Sequence, residues 1–135
     1  MSIDFMDLNY LAVLAGGIVY MAFGALYYSP LLFGKHAVSL KKNQGEKETK
    51  DALKYPGAAL VGFLSSFLLA LIVQVSGADD VVSGLVIGLV IGFLLALAYL
   101  KNTLFGLTSK KAYALAVSDH FIIFIILGIL HAVWI

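Results

Sequence analysis

The sequence predicts an all-α integral membrane protein with four transmembrane helices. Of its 135 residues, 61% are hydrophobic and only 13% are charged, which is too apolar a composition for a soluble domain. Four long apolar runs carry the excess, and each has about the 20 residues that a helix needs to cross a hydrocarbon core of ~30 Å. The runs do not alternate in polarity as the strands of a membrane barrel do. We expect one domain over residues 1–135, with helices at about 8–28, 56–75, 81–100 and 112–135.

Local signals predict where these helices end. Ser29-Pro30 stops the first helix, because proline lacks a backbone donor and disfavours helical geometry at the residue before it. Residues 29–55 follow as a cytoplasmic loop, and Pro56 suits the first position of the second helix. The other boundaries are a turn at 76–78, Asp79 and Asp80 at the start of the third helix, and Thr108 or Ser109 as the cap of the fourth.

The distribution of charge predicts the orientation. All nine basic residues are lysines, and they lie between helices one and two or between helices three and four. Positively charged loops stay in the cytoplasm, so both termini are predicted to be extracytoplasmic in a multi-pass protein of the cell membrane. Glu46 and Glu48 interrupt the longer lysine run, which argues against binding of nucleic acid. The opposite side carries acidic groups and no lysine: Asp4, Asp7, Asp79 and Asp80.

An internal similarity predicts that the four helices form two hairpins related by a parallel repeat. A shift of 72 residues places Gly16 on Gly88, Tyr27 on Tyr99 and residues 32–34 on residues 104–106. Helices one and three run in the same direction, so the repeat axis would lie along the membrane normal. The second helices match only loosely, with Ser65-Ser66 against Ser118-Asp119, and coincidence in a biased composition is the alternative.

Small residues at four-residue spacing predict close helix packing. Such residues let a second backbone approach, within the chain or between chains. The third helix has Gly84, Gly88 and Gly92 at this spacing, and the first helix has a stripe at the same spacing in which small residues alternate with tyrosines: Ala12, Gly16, Tyr20, Gly24 and Tyr28. Because one four-helix chain encloses little space, we expect a homo-oligomer that assembles through the glycine groove of helix three or the stripe of helix one.

Asp119 and His120 are the strongest candidates for a functional site. An aspartate inside a membrane helix costs roughly 2.5–3.5 kcal/mol on insertion scales, so it needs a partner or a role. Counting along the fourth helix puts Asp119 in its cytoplasmic third. Four further polar residues are predicted at the same depth as ligand-binding or ion-binding groups, and a fifth as an ion-pair partner: Tyr27, Tyr28, Tyr99 and Asn102, and Lys101.

Two interpretations of this layer remain open. Asp119 either pairs with Lys101 or a tyrosine hydroxyl and fastens the bundle, or it forms a cation-binding or proton-responsive site with its neighbours. His131 is interpreted as an interfacial histidine beside Trp134, with a proton relay from His120 as the alternative. The sequence predicts no metal site, no cofactor and no catalytic residues, because it has no cysteine, no nucleophile set and no phosphate-binding loop.

Two motifs resemble a known family. The stretch from Gly24 to Lys35, GALYYSPLLFGK, and the element NTLFG at 102–106, together with the acidic position in the last helix, are similar to the bacterial membrane-protein family called domain of unknown function 1761. Its members often have tryptophan where this chain has Tyr27. The resemblance covers the whole chain and implies a compact four-helix membrane protein with no established activity.

We therefore predict an oligomeric transporter or channel for an ion or a small solute, with its polar site in the cytoplasmic third. The alternative is a scaffold or a subunit that binds lipid or a protein partner. In that case the cytoplasmic loop at 38–55 would recognise the partner. Membrane lipids are expected to contact the chain under either hypothesis.

Overall fold

The computed structural model of the chain describes residues 2–27 and 51–134, and these residues form helices without strands. Four helices are described: α1 at Tyr10–Tyr27, α2 at Asp51–Ser76, α3 at Val81–Leu104 and α4 at Lys110–Val133. Each is long and apolar enough to cross a membrane, which confirms that part of the prediction. Tyr28 and most of the predicted cytoplasmic loop lie outside the described residues.

The start of α2 differs from the prediction. The helix already includes Asp51, and Pro56 lies inside it. A proline at the sixth position removes the single hydrogen bond to the carbonyl four residues earlier, and its steric conflict falls in the first turns of the helix. The apolar part of α2 begins at Tyr55, so Pro56 lies close to the polarity boundary and five residues beyond the first helical residue.

Side-chain caps and glycine turns set the other helix ends. The Asn9 side chain accepts a hydrogen bond from the Ala12 amide at 3.1 Å, and Ser109 does the same for Ala112 at 3.1 Å. Gly77 and Gly106 follow α2 and α3 with φ of 74° and 76°. Glycine adopts this left-handed conformation without a Cβ penalty, so both helices end in tight turns.

Asp80 caps α3 by a reciprocal arrangement with Ser83. The Ser83 hydroxyl and amide donate to the Asp80 carboxylate at 2.6 and 2.7 Å, and the Asp80 amide donates to the Ser83 hydroxyl at 3.2 Å. These hydrogen bonds lower the pKa of the Asp80 carboxyl below its ordinary value. Of the two aspartates predicted at the start of this helix, Asp80 is the one that caps it.

This cap predicts a small loss of stability in acid. A carboxyl with a lowered folded-state pKa contributes stability above its unfolded pKa and loses it as the pH falls through the folded pKa. We expect Asp80→Ala to lower the melting temperature in detergent, and Asp80→Asn to retain most of it because asparagine also caps helices. Circular dichroism at neutral and acidic pH measures both. An Asp80→Asn protein that melts as early as Asp80→Ala would contradict the capping role.

Helix α4 lies at the centre of the bundle, in contact with the other three helices. It packs most extensively on α3, while α1 packs on α2, and α4 also contacts α1 and α2. Both pairs are antiparallel, as shown by Gly17 against Phe63 and Gly84 against Gly128. The core at the centre consists of four buried apolar side chains: Leu69, Ile123, Phe124 and Leu127.

Candidate functional site

Five polar residues form what we call the inner layer: Tyr20, Tyr27, Tyr99, Ser118 and Asp119. The Tyr27 hydroxyl donates to the Leu115 carbonyl on α4 at 2.9 Å and lies within hydrogen-bonding reach of Ser118. Only 2% of the Tyr27 side chain is exposed. This tyrosine therefore connects the end of α1 to the first half of α4.

Asp119 is the half-buried carboxylate of the inner layer. It lies within electrostatic range of three tyrosines, which come from α1 and α3: Tyr20, Tyr27 and Tyr99. Tyr20 also reaches Ser65 on α2, so all four helices contribute to this region. A carboxylate with hydroxyl groups around it is an oxygen-rich environment of the kind that binds a proton or a hard cation.

His120 is adjacent to Asp119 in sequence but has its own set of contacts. Its Nδ1 lies 2.7 Å from the Ala116 carbonyl, which can only accept, so Nδ1 carries a proton. The ring packs against Tyr99 and Phe124, with centroid distances of 5.6 and 5.7 Å. His120 is thus held between aromatic rings, and adjacent helix positions project about 100° apart. No three His, Asp or Glu side chains among the described residues converge as a metal site.

The remaining predicted residues lie at the inner end of α3. Lys101 is exposed and Asn102 is half-buried, and the Asn102 carbonyl accepts from the Leu107 amide at 2.9 Å. The pairing of Lys101 with Asp119 and the ligand contacts of Asn102 stay predictions. Tyr28 falls outside the described residues.

A second polar site, which the sequence interpretation missed, lies toward the other end of the bundle. Ser66 on α2 is fully buried, and its hydroxyl lies 2.9 Å from Nε2 of His131 on α4. The same hydroxyl lies 2.8 Å from the Val13 carbonyl on α1. We call Ser66 and His131 the outer pair, and it connects three helices through one hydroxyl group.

The Val13 carbonyl fixes the proton positions of the outer pair. A carbonyl can only accept, so the single Ser66 proton is donated to Val13 and the Ser66 oxygen accepts from His131. Nε2 therefore carries a proton, and in the neutral ring Nδ1 has the lone pair. Nδ1 has no hydrogen-bond partner among the described residues. Every fully buried side-chain nitrogen in this part of the chain has a partner, so Nδ1 is not fully buried and keeps some accessible surface. His131 is one of the residues that line the cavity described next.

That outer cavity has a volume of about 180 Å³ and opens between the N-terminal segment, the α2–α3 turn and the end of α4. His131 lines it and is only 4% exposed. Its lining includes two acidic residues, Asp7 and Asp79, two amide residues, Asn9 and Gln74, and Trp134. The charged residues of the lining are thus all acidic.

The N-terminal segment, residues 2–9, closes over this end of the bundle. The backbone of Asp4 exchanges two hydrogen bonds with the Gln74 side chain, at 3.0 and 2.9 Å. The Asn9 side chain donates to the Trp134 carbonyl at 3.1 Å, and the Phe5 ring stacks on Phe67. Gln74 thus holds the N-terminal segment against the end of α2.

His131 is buried in the bundle and contacts Ser66, while its depth relative to the membrane interface stays a prediction. Its position near Trp134 suggested an interfacial side chain, but the face of α4 that carries His131 is turned toward α1 and α2, where the ring meets Ser66. Gly16 leaves the space, because a Cβ there would collide with the Ser66 hydroxyl and lie 3.2 Å from His131 Nε2. The small residue at position 16 was the available sequence signal, although it did not identify the partner.

Removing the Ser66 hydroxyl is expected to destabilise the protein. Ser66→Ala leaves the buried Nε2 proton of His131 without an acceptor, which costs about 1–3 kcal/mol. Denaturation in mixed detergent measures the loss. Ser83→Ala, a cap residue at the exposed start of α3, is the control for a serine deletion and should cost less. Equal stability of wild type and Ser66→Ala would contradict the tautomer assigned above.

Glycines on α3 let this helix pack directly against α4. A Cβ on Gly84 would lie 2.7 Å from the Ile129 Cα, one on Gly88 2.6 Å from the Phe124 carbonyl, and one on Gly92 2.6 Å from the Phe121 ring. The groove is thus filled by α4 of the same chain. A homo-oligomer would need another surface, and Gly24, where a Cβ would meet nothing within 4 Å, is the open member of the stripe on α1.

A core of packed apolar side chains separates the two polar sites. Ile123 and Leu127 lie between Asp119 and His131 on α4, at 1% and 0% exposure, and Leu69 packs beside them. Asp119 and His131 are about 18 Å apart along the helix, at ~1.5 Å per residue. The sites approach each other on α2, where Ser65 belongs to the inner side and Ser66 to the outer pair.

The fold and the sites define a class: a small helical protein with four helices able to span a membrane and two polar sites, the half-buried inner layer and the buried outer pair. A family model matches residues 11–132, so the chain belongs to the family described as protein of unknown function (DUF1761). No curated protein matches the chain, and no solved structure does. The family membership predicted from the two motifs is confirmed.

Proposed function

We propose that the protein is a multi-pass membrane protein that moves a small cation between the outer cavity and the inner layer. The observation that carries this proposal is the presence of two polar sites, the half-buried inner layer and the buried outer pair, with a packed apolar core between them. An open channel would need a continuous wet path. A sealed core between two sites instead favours alternating access.

Exposed apolar surface supports placement in a membrane. Large aliphatic and aromatic side chains on the outer face of α3 are half to two-thirds exposed, and α1 and α2 carry similar faces. A contiguous apolar surface of this extent is unstable in water and needs lipid or another apolar partner. The lysine distribution supports cytoplasmic ends for α1 and α3, which puts the outer cavity on the extracytoplasmic side.

The contacts also favour the parallel repeat, in a changed register. Helices α1 and α3 run in the same direction, and each packs through glycine on the antiparallel helix that follows. Ser66 lies opposite Gly16, and Phe124 lies opposite Gly88. In the second helices of the two hairpins, Ser66 and Phe124 then occupy equivalent positions. This alignment differs from the predicted one, which matched Ser65-Ser66 with Ser118-Asp119. The segment between α1 and α2 is longer than the segment between α3 and α4, so the shift that relates the second helices differs from the 72 residues that relate the first helices.

Vesicle flux measurements test the proposal. The purified protein is reconstituted into sealed lipid vesicles that contain a trapped indicator for protons, Na⁺ or K⁺, and a membrane potential is imposed. We expect flux of at least one of these cations above that of empty vesicles. Folded protein that transports none of the three would contradict the proposal. That result would favour the scaffold hypothesis, for which deletion of residues 38–50 and a partner-association assay are the next experiment.

A further inference from the structure

We infer that the outer cavity binds a small primary ammonium compound, whose N–H group donates to Nδ1 of His131. This inference rests on the proposed function only where it describes the cavity as extracytoplasmic. Binding itself is a separate property that needs no transport. Three observations carry the inference: an available buried acceptor, an acidic lining and a compact cavity.

The available acceptor is the first observation. His131 is 96% buried, since its exposed fraction is 4%, and its Nε2 is already engaged by Ser66. The ring therefore presents Nδ1, which is a lone-pair acceptor in the tautomer fixed by the Val13 carbonyl. Such an acceptor, on a buried ring but open to the cavity, can be matched by a ligand that brings a hydrogen-bond donor.

The acidic lining is the second observation. Asn9 and Gln74 are occupied by hydrogen bonds to the protein, through the Ala12 amide, the Trp134 carbonyl and the backbone of Asp4. The two carboxylates that remain, Asp7 and Asp79, have no basic residue beside them in the lining. The cavity thus carries uncompensated negative charge, and a cationic donor satisfies both the charge and Nδ1.

The size and the aromatic wall are the third observation. A cavity of about 180 Å³ is below the ~300 Å³ at which sites for drug-sized ligands begin, so the ligand is compact. Trp134 also lines the cavity, and its indole is the aromatic group available there to attract a cation. A short alkylammonium matches the donor, charge and volume together.

The test uses the intrinsic fluorescence of Trp134, which is the single tryptophan of the chain. The full-length protein in detergent is titrated with n-propylammonium, with 1-propanol as the uncharged match and tetramethylammonium as a cation without N–H groups. We expect a saturable change with n-propylammonium and at least about tenfold weaker binding of the other two probes. No saturable change with n-propylammonium, or equal binding of 1-propanol or tetramethylammonium, would overturn the inference.

Two neighbouring aspartates provide a matched pair of variants. Asp79 lines the cavity, whereas Asp80 caps α3 and does not line it. Asp79→Asn should weaken binding of n-propylammonium by about tenfold, and Asp80→Asn should leave it unchanged. Equal affinities for the two variants would overturn the role of the lining charge. Binding without cation flux in vesicles would support this inference and contradict the proposed function, so the two failures are distinguishable.

Discussion

Replacing Gly88 by alanine is expected to give a large loss of stability. The new Cβ would lie 2.5 Å from the Ile125 Cα and 2.6 Å from the Phe124 carbonyl, and both are backbone atoms of α4. A backbone cannot rotate away as a flexible side chain can, so α3 has to separate from α4. Overpacking of this kind costs about 1–3 kcal/mol or more.

Gly24→Ala is the matched control for this change. It adds the same methyl group to a membrane-length helix, but a Cβ there meets nothing within 4 Å. The measurement is chemical denaturation in mixed detergent, followed by circular dichroism. We expect Gly88→Ala to unfold earlier than wild type and Gly24→Ala to unfold at the wild-type midpoint or later, because alanine favours helix over glycine. If Gly24→Ala is the more destabilised variant, the α3–α4 contact is not the tight one.

Replacing Asp119 by asparagine is expected to have the largest effect on function. The substitution keeps the size of the side chain and removes the carboxylate of the inner layer, so a cation loses its strongest electrostatic partner there. We expect flux in vesicles to fall by about tenfold or more, which corresponds to a loss of at least ~1.4 kcal/mol of stabilisation of the cation.

Asp80→Asn is the control for this substitution, because it changes the same chemical group at an exposed helix cap. Its flux should equal that of wild type. Folding of each variant is checked by its elution from a sizing column and by its melting temperature. A folded Asp119→Asn protein with wild-type flux would assign Asp119 to fastening the bundle, and the inner layer would lose its role in transport.

The helices and several of their ends were predictable because the signals are local. Apolar runs of membrane length define α1 to α4, and the caps at Asp80 and Ser109 use side chains within three residues of the amides they bind. The start of α2 was predicted too late at Pro56, because proline prefers the first helical position but also fits elsewhere in the first turns of a helix. Depth along each helix is also local information, and it placed Tyr27, Tyr99 and Asp119 in one layer.

The outer pair could not be predicted in the same way. Ser66 and His131 are 65 positions apart, and their contact depends on which faces of α2 and α4 meet. Helix faces in this chain are nearly uniform in hydrophobicity, so no polar stripe reveals them. The glycine spacing on α3 likewise predicted a close approach without identifying the partner, which the structure shows to be α4 of the same chain.

Alternating access requires two polar sites that are reached from opposite sides of the membrane. The chain has no cysteine, so single cysteines can report access directly. Ala78→Cys places a thiol in the lining of the outer cavity, and Ser118→Cys places one in the inner layer. A charged, membrane-impermeant thiol reagent is then applied to each face of sealed vesicles of known orientation.

We predict that position 78 is modified from the extracytoplasmic face alone and position 118 from the cytoplasmic face alone. Modification of both positions from one face, or of neither from any face, would contradict the account.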